Sequence, residues 1–83
     1  NYFDVFPPAG YSMTHHRAFI CSISYINWAG TVNDDDHTRC VWQLWGGTAA
    51  VSTAAGADRI RVWVQNTEQR SKPQGNYMAV WKL

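Results

Sequence analysis

The sequence predicts an all-β domain: a small antiparallel β-sandwich or compact barrel of about five strands, assembled as a trimeric knob. Three observations predict the class. The chain of 83 residues holds five Trp, four Tyr and three Phe, residue types that suit a pleated, half-buried surface. Strong helix formers other than alanine are scarce, with two lysines and one glutamate in the whole chain. Short runs of alternating apolar and polar residues are separated by segments rich in Gly, Pro, Asn and Asp.

Taken in order, residues 2–6 (YFDVF) alternate once and stop at Pro7–Pro8, which reads as a short first strand and a break. Residues 9–17 read as a loop or a single helical turn that Ser12 or Thr14 would cap. The longest β-like run is 18–28 (AFICSISYINW). Phe19, Cys21, Ile23 and Tyr25 share its more apolar face, which is expected to look into the core. A third strand spans 38–45 (TRCVWQLW), with Cys40, Trp42 and Leu44 on one face and Arg39, Val41, Gln43 and Trp45 on the other. Residues 46–57 are small and glycine-bounded, and Val51 and Thr53 interrupt the alanines, so a long loop is expected there. The cleanest alternation is 58–65 (DRIRVWVQ): Ile60, Val62 and Val64 point in, while Arg59, Arg61, Trp63 and Gln65 point out. A polar loop at 66–75 leads to a last strand, 76–83, expected to lie antiparallel to its predecessor.

The whole chain, 1–83, reads as a single β domain. A chain this short buries only roughly 60–65% of the surface its unfolded form exposes, so a disulfide, a metal or oligomerisation would help it. It begins at Asn1, which reads as the C-terminal fragment of a longer chain. The net charge is +1 with both signs interspersed, which argues against a nucleic-acid binder with its basic stripe. No apolar run reaches 18 residues, so membrane insertion is not expected.

Few residues are arranged for chemistry. The stretch 31–40 (TVNDDDHTRC) concentrates potential ligands. Calcium loops place their oxygens at alternate positions around a glycine, whereas Asp34, Asp35 and Asp36 are consecutive and lack a downstream glutamate. That spacing reads as a solvated turn. His15 and His16 are adjacent and His37 is distant, so no zinc spacing occurs and surface histidines are expected. No nucleophile motif is present and a domain this small offers no deep cleft, so the chain is expected not to be an enzyme and to use no cofactor. The aromatics are more informative. Trp45 and Trp63 lie on the polar faces of their strands, and Arg61 is two residues from Trp63. Trp and Arg dominate binding hot spots. Trp45, Arg61, Trp63, Asp34, Asp35 and Asp36 are the expected ligand-binding residues, with the loops at 29–37, 46–57 and 66–75 around them.

The segment 60–83 (IRVWVQNTEQRSKPQGNYMAVWKL) combines a V-x-V strand, a polar NTEQR loop and a closing strand with a late tryptophan. In this it resembles the C-terminal tips of bacteriophage tail-fibre and tail-spike proteins. The stretches 2–13 and 29–40 resemble modules of the same proteins. The resemblance implies a non-enzymatic receptor-binding knob at the tail tip of a virion, a homotrimer that contacts a bacterial surface glycan or protein. Two alternatives stand beside it: a secreted lectin or enzyme inhibitor with one disulfide, and a structural trimerisation cap.

The two cysteines yield a register expectation. If 18–28 and 38–45 pair as a hairpin centred between Gly30 and Thr31, Cys21 falls opposite Cys40, Phe19 opposite Trp42 and Ile23 opposite Thr38. Directly opposed Cβ atoms lie about 4.5–5.5 Å apart. A disulfide needs roughly 3.5–4.5 Å, so the two thiols are expected to be neighbours whether or not they are bonded.

Overall fold

The computed structural model describes residues 1–26, 37–66 and 73–83. Its strands are β1 (Tyr2–Val5), β2 (His16–Tyr25), β3 (Thr38–Gly46), β4 (Ala49–Ala50), β5 (Arg59–Asn66) and β6 (Gln74–Trp81). All pairings are antiparallel. They make one four-stranded sheet in the order β1-β5-β3-β4 and one two-stranded sheet of β2 and β6. Facing each other, the two sheets form the small antiparallel sandwich that the sequence predicts.

Strand β5 is the centre of the larger sheet. Tyr2 and Val41 flank Trp63, and Asp4 and Gln43 flank Arg61. The Val64 amide also donates to the Asn1 carbonyl at 2.9 Å, extending the β1 ladder. The alternation read from the sequence is realised: Ile60 and Val62 are fully buried and Val64 is nearly so. With Val5, Met13 and Phe19 they form the core. Each such side chain contributes about 1.5–3 kcal/mol when buried.

Two pairings differ from the sequence expectation. β2 does not pair with β3, and β6 does not pair with β5; instead β2 pairs with β6, and β3 with β5. Matching of faces prevails over proximity in the chain. β3 and β5 each carry an apolar inner row and a polar or aromatic outer row, so pairing them aligns Leu44, Trp42 and Cys40 with Ile60, Val62 and Val64. Strand β6 supplies small inner residues opposite the bulky ones of β2, with Ala79 beside Phe19 and Gly75 beside Ile23. A Cβ on Gly75 would lie 3.3 Å from Val64 and 3.4 Å from Phe3, so the missing side chain lets the two sheets close there.

Smaller departures have local causes. Tyr25 is exposed, because the register shifts between Ile23 and Tyr25 and turns it off the inner face. The stretch 46–57 is not one long loop. It holds β4, paired to the end of β3, and a 3-10 turn at Ala54–Gly56. Gly46 faces that turn so closely that a Cβ would overlap the Gly56 carbonyl. The expected turn before β2 is a 3-10 turn at Met13–His15 with Ser12 at its N-cap position. The Ser12 amide donates to His15 Nδ1 at 2.9 Å. Among the described residues no helix is long and apolar enough to cross a membrane.

Ile60 tests the assignment of the core. Ile60→Ala is expected to lower stability by about 2–5 kcal/mol, seen as a lower urea midpoint at unchanged slope. Leu83→Ala, at a position 74% exposed, is expected to stay within about 0.5 kcal/mol. Equal effects from the two variants would contradict the assignment.

Candidate functional site, an aromatic and arginine face

The outer face of the four-stranded sheet is built by alternation alone. Once Ile60, Val62 and Val64 point inward, Arg59, Arg61, Trp63 and Gln65 must point outward. The same rule places Tyr2 and Asp4 of β1, and Val41, Gln43 and Trp45 of β3, on that side.

Arg61 organises this face. Its guanidinium forms two parallel bonds to Asp4, Nε to Oδ1 at 2.8 Å and Nη2 to Oδ2 at 3.0 Å. This is the fork-on-carboxylate geometry that makes such pairs strong and directional. The guanidinium carbon lies 3.8 Å from the centre of the Tyr2 ring, contributed by β1. It lies 4.2 Å from the Trp45 ring, contributed by β3. The cation is therefore held between two ring faces, an arrangement favoured by the ring quadrupole. Trp63 completes the group: its ring centre is 5.1 Å from that of Tyr2 and 6.0 Å from that of Trp45. Its indole N–H donates to Gln43 Oε1 at 2.6 Å. Tyr2 lies directly opposite Trp63 and Gln43 is its diagonal neighbour, both within reach for aromatic and long side chains.

The part of the face around Arg61 is close to electrically balanced. Arg59 stands 3.4 Å from Asp58 and 3.7 Å from Asp4, and over the Phe6 ring at 5.7 Å. Around Arg61 two arginines are thus matched by two aspartates, while Arg39, further along the same face, donates to Gln65 Oε1 at 3.1 Å. The hydrogen bond from Arg61 holds the Asp4 carboxyl below the ordinary carboxylate range, against the opposing effect of burial; the charges of Arg61 and Arg59 add to the lowering. The bond to Asp4 in turn raises Arg61.

Of the residues expected to bind a ligand, Trp45, Arg61 and Trp63 converge on this one face. Asp34, Asp35 and Asp36 lie outside the described residues. Sequence reasoning missed Tyr2, Asp4 and Gln43. Gln43 shared the face of Trp45 in the sequence, no face was assigned to Tyr2 and Asp4, and only the pairing of β1 and β3 with β5 sets all three beside Arg61 and Trp63. Tyr2 is 51% exposed, while Trp45 and Trp63 are half-buried. The Trp45 indole N–H is covered and has no partner among the described residues.

Other chemistry-bearing residues lie elsewhere. His16 is not a surface histidine: its ring packs against Trp81 at 5.5 Å, Trp42 at 5.8 Å and Phe19 at 6.3 Å between ring centres. A shallow concavity where β1 meets β6 is lined by Phe3, Gly75, Asn76 and Tyr77, none of them charged. Among the described residues no three His, Cys, Asp or Glu side chains are gathered to hold a metal ion.

Comparison with known proteins finds no matching family model, no matching curated protein and no matching solved structure.

Asp4 makes the face sensitive to acid. Its folded-state pKa lies below its unfolded value of about 3.9, so its contribution is complete above that value and disappears as pH falls through the folded-state pKa. Urea midpoints measured from about pH 5 to about pH 2 should fall for the wild type and fall less steeply for Asp4→Asn. Parallel curves for the two proteins would show that Asp4 is not held by Arg61.

Proposed function

We propose that this protein is a non-enzymatic recognition module, and that the face formed by Tyr2, Trp45, Arg61 and Trp63 is its contact surface for a bacterial surface glycan. The observation that carries this reading is the clustering itself. Three aromatic rings gather around one arginine on the outer side of a sheet, where the core does not need them. Trp and Tyr offer flat apolar area together with a polar handle. A sugar ring is matched to such a surface, because it presents C–H groups on its faces and hydroxyls at its rim. The internal balance of charge favours a neutral ligand over a strongly anionic one, since Arg61 is already committed to Asp4.

In the same reading the domain is the tip of a bacteriophage tail fibre or spike, carried on the virion, and works as a homotrimer. Its support is the sequence resemblance together with a second exposed surface. The outer side of the two-stranded sheet carries Ile20 and Met78 side by side and Val80 next to them, 63%, 62% and 48% exposed. An apolar patch of this kind is what a subunit contact would cover.

Glycan-array and whole-cell binding test the contact surface. Trp63→Ala and Trp45→Ala are expected to weaken binding at least tenfold, about 1.4 kcal/mol, with the far-UV spectrum of a folded β protein retained. Lys82→Ala, just past the end of β6, is expected to bind as the wild type does. Undiminished binding by folded Trp63→Ala would remove this face as the contact surface. Light scattering tests the assembly separately, with a mass of three chains expected and a stable monomer contradicting it.

A further inference from the structure

We propose that Cys21 and Cys40 form a reversible disulfide that covalently joins the two sheets of the sandwich. They are the two cysteines of the chain, so within one molecule each has the other as its single partner. Cys21 lies on the inner side of β2 and Cys40 on the inner side of β3, and both pack against the core. Their strands belong to different sheets, yet one row away the rings of Phe19 and Trp42 meet across the gap at 5.2 Å between centres. The Cα atoms of β2 and β3 come within 8 Å of one another. A disulfide spans Cα separations of about 4.4–6.8 Å, which lie inside that contact range. The two thiols are free, and Cys21 is near enough to help push the Cys40 thiol up.

The bond would act where the fold is weakest. An isolated two-stranded sheet is marginal in water. Strands β2 and β6 hold to the larger sheet through side-chain packing, and a cross-link at Cys21–Cys40 would fasten them directly.

The chemistry is thiol–disulfide exchange with a small-molecule disulfide such as oxidised glutathione. The Cys21 thiolate attacks one sulfur of the oxidant, forms a mixed disulfide and releases one thiol. The Cys40 thiol then loses its proton to solvent, its sulfur attacks that of Cys21, and the second thiol departs. Two protein thiols have become one disulfide, and one disulfide has become two thiols. Burial is the main cause that pushes the Cys40 thiol up to about 12, followed by the hydrogen bond and charge of Cys21. Cys40 is therefore the slower, second nucleophile, and ring closure should accelerate as pH rises through the alkaline range.

Native protein incubated with defined ratios of reduced and oxidised glutathione, then quenched in acid, provides the test. The proposal expects a mass loss of two hydrogens, a peptide linking Cys21 to Cys40, and a Tm raised by roughly 10 °C or more, reversed on reduction. Cys40→Ser should instead accumulate a glutathione adduct at Cys21 with no such rise. Stable glutathione adducts on the wild type, disulfide-linked pairs of chains, or two thiols that remain free under oxidising ratios would each overturn it.

Discussion

The structure depends on one strand that is paired on both edges and differs on its two faces. Strand β5 lies between β1 and β3 and commits its inner row, Ile60, Val62 and Val64, to the core. Because side chains alternate along a strand, that commitment fixes the outer row with no further choice. A slip of one residue would bury Arg61 and Trp63 and expose the valines. The core and the candidate site are therefore two consequences of a single register.

The rest of the fold can be ordered by its distance from β5. Strand β1 is four residues long, and its ladder is reinforced from outside by the paired bonds between Asp4 and Arg61. Strand β3 is held by the full ladder and by Gln43 beneath the Trp63 indole. The two-stranded sheet lies furthest away, and among the described residues it packs its inner row, Phe19, Cys21 and Ile23, onto what β5 and β3 provide. Its outer row, Ile20, Met78 and Val80, is exposed. The proposed trimer contact and the proposed disulfide both fall on this sheet, one on its outer face and one on its inner face.

What could be read in the sequence follows from the range of the forces involved. Alternation is local, so the strands and the inward and outward faces of β3 and β5 were legible, and with them the outward placement of Trp45, Arg61 and Trp63. Strand pairing is not local. The hairpins expected between β2 and β3, and between β5 and β6, follow from chain proximity, yet face matching gave each strand a different neighbour. Cys21 and Cys40 show how an expectation can hold by another route. They are neighbours, as are Phe19 and Trp42, but across the gap between the sheets and not along a shared ladder. Tyr2 and Asp4 belonged to the site all along, but the 57 residues separating Asp4 from Arg61 hid the pair. The aspartates at 34–36 lie outside the described residues.

The central claim is that β5 has β1 and β3 as its neighbours and that its register builds the core and the outer face together. Nuclear Overhauser contacts between backbone protons measure that pairing directly. The account predicts cross-strand contacts from Trp63 to both Tyr2 and Val41, and from Arg61 to both Asp4 and Gln43. Backbone contacts between β5 and β6, as in a hairpin of consecutive strands, would contradict it and would dissolve the candidate site with it.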